Sequence, residues 1–70
     1  MFKNLISVMA RRGIPSDDLA RILGIHRNTL LKKIKGESEF TLTEADVIHA
    51  IFNEYDYKYL FTREQEKILA

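Results

Sequence analysis

The chain of 70 residues contains no cysteine, no tryptophan and only one proline, Pro15. Without cysteine it can form neither disulfides nor thiolate metal sites, and a reducing compartment suits it. No apolar run approaches the roughly 20 residues of a membrane-spanning helix, so we expect no membrane partner. A chain this short forms one domain and buries only about 60% of its unfolded surface. With no disulfide, it needs a densely packed helical core.

Patterns for catalysis and metal binding are also missing. The two histidines, His26 and His49, are far apart in sequence, and neither has a carboxylate at ligand spacing. We interpret His26 as a turn residue or a phosphate contact and His49 as a surface residue of a later helix. No Ser/His/Asp, Cys/His or paired-carboxylate set can converge in a small bundle. We therefore expect a protein that is not an enzyme and binds no cofactor and no metal.

The charges of the chain are divided between its two halves. Residues 1–36 carry eight Lys/Arg and two Asp, a net charge of +6. Residues 37–70 carry three Lys/Arg and eight Asp/Glu, a net charge of −5. A basic half favours contact with a polyanion, while an acidic half keeps the rest of the molecule away from it. This division indicates a one-sided nucleic-acid surface.

The N-terminal stretch is basic and apolar but lacks the small-residue cleavage site of a signal peptide. A helix is expected over residues 2–12, ended by Gly13. Arg11 and Arg12 lie near its negative end, where cations are favoured, and both can also contact phosphates. The apolar residues expected to face the core are Phe2, Leu5, Ile6 and Met9.

Residues 16–23, SDDLARIL, predict a short amphipathic helix. Ser16 can cap it, and Asp17 and Asp18 place negative charge at the positive end of the helix dipole. Gly24 follows directly, where a left-handed residue can end a helix without steric cost. The predicted apolar stripe is Leu19, Ile22 and Leu23.

After a turn of about three residues, residues 26–35 again have helical composition. Leu30 and Ile34 share the side expected to face the core. Arg27 lies at the edge of the other side, which consists of Asn28, Leu31, Lys32 and Lys35. One side of this helix can pack while the other enters a groove, as in a helix-turn-helix.

These residues resemble the helix-turn-helix of phage-type repressors, the Cro/repressor or xenobiotic-response-element-like family. The resemblance implies an all-α, compact five-helix, lambda-repressor-like domain over residues 1–61, with the motif at helices 2 and 3. It also implies that the small Ala20 lets the two helices approach and that Ile25 and Leu30 lock them together. Residues 62–70 lie outside it, as a C-terminal tail or short helix. The matching residues are Leu19-Ala20, Gly24-Ile25, Thr29-Leu30 and Gly36.

Two positions depart from the family pattern. Pro15-Ser16 replaces the usual Thr-Gln at the start of the second helix, so Ser16 is expected to cap or to contact phosphate rather than a base. Lys33 stands where the family is commonly apolar, which leaves Ile34 as the expected core residue.

The exposed side of the third helix predicts the contacts with DNA. Arg27 is expected to contact guanine O6/N7, Asn28 adenine or phosphate, and Lys32 a base edge or phosphate. Leu31 can contact a thymine methyl group. The residues assigned to the DNA backbone are Lys35, Lys33, Ser16, Arg12, Lys3 and His26.

The rest of the chain is expected to complete the bundle. Residues 36–43 predict a loop from which Phe40 and Leu42 turn back to the core, and residues 43–46 predict a capping box that opens helix 4 at Thr43. Asp56 is expected to cap a short helix over residues 57–61. Residues 62–65 repeat the capping pattern before Ile68 and Leu69, and this tail is either a frayed helix or part of a dimer contact. The expected core face of helix 4 is Val47, Ile48, Ile51, Phe52 and Tyr55.

The predicted function is that of a sequence-specific transcriptional regulator bound to double-stranded DNA. A single module of this size buries about 600–1,000 Å² on DNA, so we expect a homodimer on a palindrome with half-sites about 34 Å apart. The resemblance implies a phage or prophage regulator, cytoplasmic at the nucleoid of a bacterial host, and leaves repressor or activator open. The alternative is a protein-interaction module, such as an antirepressor or adaptor, that binds an acidic partner through the same fold. The apolar Leu31 within the basic face is its support.

Overall fold

The computed structural model describes residues 1–63, and within this range the chain forms five helices joined by turns. They are α1 (Lys3–Arg12), α2 (Ser16–Leu23), α3 (Arg27–Lys35), α4 (Leu42–Ile51) and α5 (Tyr57–Leu60). The predicted all-helical fold is confirmed. Over residues 1–63 no helix has the length and apolarity needed to cross a bilayer. The expectations for Ile68 and Leu69, and for the rest of residues 64–70, lie outside the described residues.

The core receives side chains from every helix. Leu30 and Ile34 of α3 are buried as predicted, and Ala20 of α2 is buried beside them in the same core. Because burial of each large aliphatic or aromatic side chain contributes roughly 1.5–3 kcal/mol, this shared core is what holds the short helices together. The fully buried side chains are Leu5, Val8, Leu19, Leu30, Ile48, Phe52 and Leu60.

Three apolar residues expected in the core are exposed. Ile22 is 53% exposed, Leu42 is 73% exposed and Ile6 is 40% exposed, so their predicted burial is wrong. In α2 the buried positions are Leu19 and Ala20, and Leu23 packs against the core, so the core side lies on the Ala20 side of Leu19 and Ile22 falls outside it. Leu42 is the first residue of α4 and projects beyond the contact that α4 makes with the core.

The turn between α2 and α3 has the predicted length. Gly24 has φ of +74° and ends α2 in the left-handed conformation. The Gly24 N–H donates to the Arg21 carbonyl at 3.1 Å, and the Ile25 N–H donates to the Ala20 carbonyl at 3.0 Å. His26 then occupies the N-cap position of α3. These backbone bonds fix the direction in which α3 leaves α2.

The start of α2 differs from the prediction. Pro15, in extended conformation, occupies the N-cap position, and no side chain caps the helix. The Pro15 carbonyl accepts from the Leu19 N–H at 3.1 Å, which makes Ser16 the first helical residue. The capping role expected for Ser16 is therefore wrong.

The start of α4 lies two residues before the predicted capping box. Thr41 is the N-cap, and its hydroxyl accepts from the Glu44 N–H at 3.0 Å. The Thr41 N–H donates in return to Glu44 Oε1 at 3.0 Å. A capping box is present, but Thr41 rather than Thr43 provides the cap.

The C-terminal end of α3 is fixed by both ends of the described chain. The Phe2 N–H donates to the Ile34 carbonyl at 2.9 Å, and Arg63 donates to the Gly36 carbonyl at 3.3 Å. Beside them the rings of Phe2, Phe40 and Phe61 pack edge to face, with centroids 5.4 to 5.9 Å apart. These contacts set the position of α3 relative to α1 and α5.

Candidate nucleic-acid interface

One side of α3 is open to solvent along its whole length. Leu30 and Ile34 anchor the opposite side in the core, which leaves Leu31 half-buried at the margin. The polar residues that the structure brings together on the exposed side are Arg27, Asn28, Thr29, Lys32 and Lys35. His26 is exposed at the N-terminal end of this side. The side is cationic, narrow and carried by a regular helix, so it has the shape and charge to enter a major groove.

Arg27 forms an ion pair that joins the first turns of α2 and α3. Its Nε lies 2.9 Å from Oδ1 of Asp17, and the two side chains are 59% and 66% exposed. The neighbouring Asp18 instead pairs with Arg21 within α2, at 3.1 Å. Sequence reasoning missed the pair between Asp17 and Arg27. The helix-turn-helix connection, which brings the starts of α2 and α3 close together, is the signal that could have indicated it.

An apolar groove of about 230 Å³ runs along the side of α3 that faces α1. Three residues assigned to DNA contact line this groove, namely Ser16, Leu31 and Lys35. Its other lining residues are Met1, Ile6, Met9 and Ile34. Leu31 thus has an apolar surface beside it that continues onto α1, and Lys35 adds a charge at the edge.

Lys33 does not lie on the exposed side of α3. Its side chain is 11% exposed, and its Nζ donates to Oε1 of Glu44 at 2.6 Å. The assignment of Lys33 to the DNA backbone is therefore corrected, because its ammonium group is directed at α4. An ammonium group in a mostly buried position needs a carboxylate, so a lysine at a commonly apolar position was a signal for such a partner.

Glu44 serves two partners with one carboxylate. Burial acts to raise its pKa, but hydrogen bonds from Lys33 and from the Thr41 backbone outweigh burial and lower the pKa below its ordinary value. The carboxylate is therefore ionised at neutral pH. It connects α3 to the capping box of α4.

Two cations of α1, Arg11 and Arg12, have partners in the C-terminal half of the chain. Arg12 donates from Nη1 to both carboxylate oxygens of Glu54, at 2.6 and 2.7 Å, and its guanidinium lies 5.9 Å from the Phe52 ring centre. Hydrogen bonding to Tyr55 raises the pKa of Arg11. Lys3 is exposed in the first turn of α1. The phosphate contacts assigned to Arg12 and Lys3 stay predictions.

His49 is not the surface residue that we predicted. It is half-buried, its Nε2 lies 3.1 Å from the Tyr55 carbonyl oxygen, and its ring packs edge to face on Tyr57 at 5.6 Å. His49 therefore connects α4 to the segment that leads into α5. In the part of the chain that the structure describes, no three His, Asp or Glu side chains are grouped as metal ligands would be.

The five-helix fold and the exposed cationic side of α3 define a helix-turn-helix DNA-binding domain. The family model of the Cro/C1-type HTH DNA-binding domain matches residues 4–54, which contain all of α2 and α3. The chain belongs to this family, and the predicted resemblance is confirmed. A search of curated proteins and a search of solved structures each found no match.

Proposed function

We propose that the protein is a sequence-specific transcriptional regulator whose helix α3 reads the major groove. The observation that carries this proposal is the division of α3 into a buried side, Leu30 and Ile34, and an exposed side with Arg27, Asn28 and Lys32. Membership of the family makes the chain a DNA-binding domain. The exposed residues supply the donors and acceptors that distinguish base pairs in the major groove.

We assign each exposed side chain a partner on DNA. Arg27 contacts guanine O6/N7, Asn28 contacts adenine or a phosphate, and Lys32 contacts a base edge or a phosphate. Leu31, at the margin of α3, contacts a thymine methyl group. The DNA backbone is contacted by Lys35, Ser16, His26, Arg12 and Lys3. Lys33 is removed from this set because Glu44 holds its ammonium group.

The proposal includes a two-fold dimer acting on a palindromic operator. One module of this size makes a small interface with DNA, and two modules joined by a two-fold axis double it while fixing the half-site spacing. By its resemblance to phage-type repressors, we assign the regulator to a phage or prophage. This role involves binding alone, and no catalytic activity is assigned to the chain.

The second candidate is a protein-interaction module, which the apolar groove between α1 and α3 favours. The groove places Met1, Ile6 and Leu31 beside the cation of Lys35, a combination that can hold an apolar segment with acidic residues. Such a module would bind DNA weakly and without sequence preference at physiological salt. DNA selectivity therefore separates the two candidates.

Selection of binding sites from random duplex DNA tests the proposal. The expected result is enrichment of a palindromic sequence whose half-sites are about one helical turn apart. Enrichment of a single half-site would support sequence-specific binding but contradict the dimer. Failure to enrich any sequence would overturn the proposed function and favour the protein-interaction module.

Two substitutions on α3 are expected to differ in kind. Arg27→Ala should weaken binding to the selected site by roughly 1–3 kcal/mol and relax the preference at one base pair. Lys35→Ala should weaken binding to all DNA sequences by the same amount. Lys58→Ala, an exposed cation of α5, is the control for loss of one positive charge. Fluorescence anisotropy with the selected and a scrambled duplex measures both effects. Equal losses on both duplexes for Arg27→Ala would contradict its role in base recognition.

A further inference from the structure

We propose that Asp17 is a positioning residue, which holds the Arg27 guanidinium in the orientation that reads a guanine. The inference rests on the proposed function, because it concerns how α3 recognises a base. It assigns a role in specificity to a carboxylate of α2 that itself donates no hydrogen bond to DNA.

The atoms used by the ion pair carry the argument. Asp17 Oδ1 lies 2.9 Å from Nε of Arg27, which is the inner nitrogen of the guanidinium. Arginine has five N–H donors in one plane, and the contact with Asp17 is at Nε, apart from the four donors on Nη1 and Nη2. Within residues 1–63 Arg27 has no second ion-pair partner. The end of the guanidinium that can donate to O6 and N7 of guanine is therefore left open.

The α2 dipole accounts for a carboxylate in this turn, but neither folding stability nor general affinity for DNA accounts for its pairing with Arg27. Both side chains are more than half exposed, and an exposed ion pair adds little to folding stability. A negative charge beside a groove-binding helix also opposes binding to phosphates. What the pair does supply is orientation. An arginine side chain loses several rotamers on binding a base, and a carboxylate that restricts them beforehand reduces that loss.

Asp18 provides a matched control within the same helical turn. It carries the same charge at the positive end of the α2 dipole, but it pairs with Arg21 of its own helix at 3.1 Å. Removing either carboxylate takes away one negative charge and the same type of helix-terminus interaction. Only the removal of Asp17 releases Arg27.

The experiment compares D17A, D18A and D17N with the wild type. Each variant is titrated against three duplexes: the selected site, the site with the Arg27-dependent base pair replaced, and a scrambled sequence. D17A and D18A should both bind the scrambled duplex more tightly than the wild type, because each has lost a negative charge. D17A, but not D18A, should lose roughly two- to fivefold of the discrimination at the Arg27-dependent pair, the range that an exposed ion pair can supply. D17N should lose about as much as D17A, because the contact at Nε is an ion pair and the neutral amide has no charge to hold the guanidinium.

The double variant D17A/R27A tests whether Asp17 acts through Arg27. If Asp17 acts through Arg27, D17A should not change discrimination at this base pair further when Arg27 is already alanine. If D17A and D18A have the same affinities for the three duplexes and both keep the discrimination at this base pair, the positioning role is overturned. Sequence-specific binding would remain supported. A wild type that prefers no sequence would overturn the proposed function, and this inference would fall with it.

Discussion

Lys33 gives α3 a fixed attachment to α4. Its ammonium group and the carboxylate of Glu44 are both close to nine-tenths buried, and each is charge-compensated by the other at 2.6 Å. A charge left alone in such a position costs several kcal/mol, so the two residues act as a unit. The same carboxylate accepts from the Thr41 N–H, which ties the unit to the start of α4. The position of α3 thus depends on a residue that does not lie on its exposed side.

Lys33→Ala is therefore expected to destabilise the fold by about 3 kcal/mol, because it leaves Glu44 in a mostly buried position without its cation. Urea unfolding followed by circular dichroism measures this loss. Lys32→Ala, the adjacent and exposed residue, is the matched control and should change stability by less than about 0.5 kcal/mol. Similar effects for the two alanine variants would contradict a structural role for the buried pair.

At the scale of single residues, helical periodicity predicted the centre of the core but not its margins. Leu30 and Ile34 lie opposite the polar side of α3, and their burial follows from spacing alone. Ile22 fits the spacing from Leu19 equally well but is exposed, because α2 buries Ala20, on the other side of Leu19, in the shared core. The ion pairs of Arg27 and Lys33 link different helices, so they depend on how the helices pack rather than on local sequence.

Within the helices, the ends determine where each element can lie. Gly24 and Gly36 both take positive φ, and both end their helices where the sequence predicts. A non-glycine residue is strained at such φ values, so these ends are readable from the sequence. The start of α4 is less readable, because Thr41 and Thr43 each precede an acidic residue by three positions. Thr41 is the N-cap because the Glu44 carboxylate accepts from the Thr41 N–H and from Lys33 at the same time.

This choice between two threonines can be measured. Thr41→Ala removes the hydroxyl that accepts from the Glu44 N–H and should cost about 1 kcal/mol of stability. Thr43→Ala changes an exposed residue inside the first turn of α4 and should cost less than about 0.5 kcal/mol. Thermal and urea unfolding of both variants give the comparison. A larger loss for Thr43→Ala would place the cap where the sequence alone suggested it.

Across the whole molecule, the charge division of the sequence is partly neutralised by the fold. Arg12 pairs with Glu54, and Lys33 pairs with Glu44, so two cations of the basic half are held by carboxylates of the acidic half. Arg21 and Arg27 pair with the two aspartates of α2. At least half of the eight Lys/Arg in residues 1–36 are therefore engaged within the protein. The two aspartates are already counted in the net charge of +6, so the pairs with Glu54 and Glu44 are the ones that reduce the charge available to DNA.

The salt dependence of DNA binding reports how many cations remain available. Each phosphate contact contributes about −0.9 to the slope of log K against log salt concentration. Lys32 and Lys35 are exposed and have no ion-pair partner among the described residues, and a few further cations can exchange a carboxylate for a phosphate. We therefore expect a slope of roughly −2 to −4 per protomer on the scrambled duplex. Lys35→Ala should flatten it by about one unit, whereas a folded Lys33→Met variant should leave it unchanged. A wild-type slope of about −7 would contradict this expectation, because it would mean that all eight cations contact phosphate. The internal ion pairs of Arg12 and Lys33 would then have to open when DNA binds.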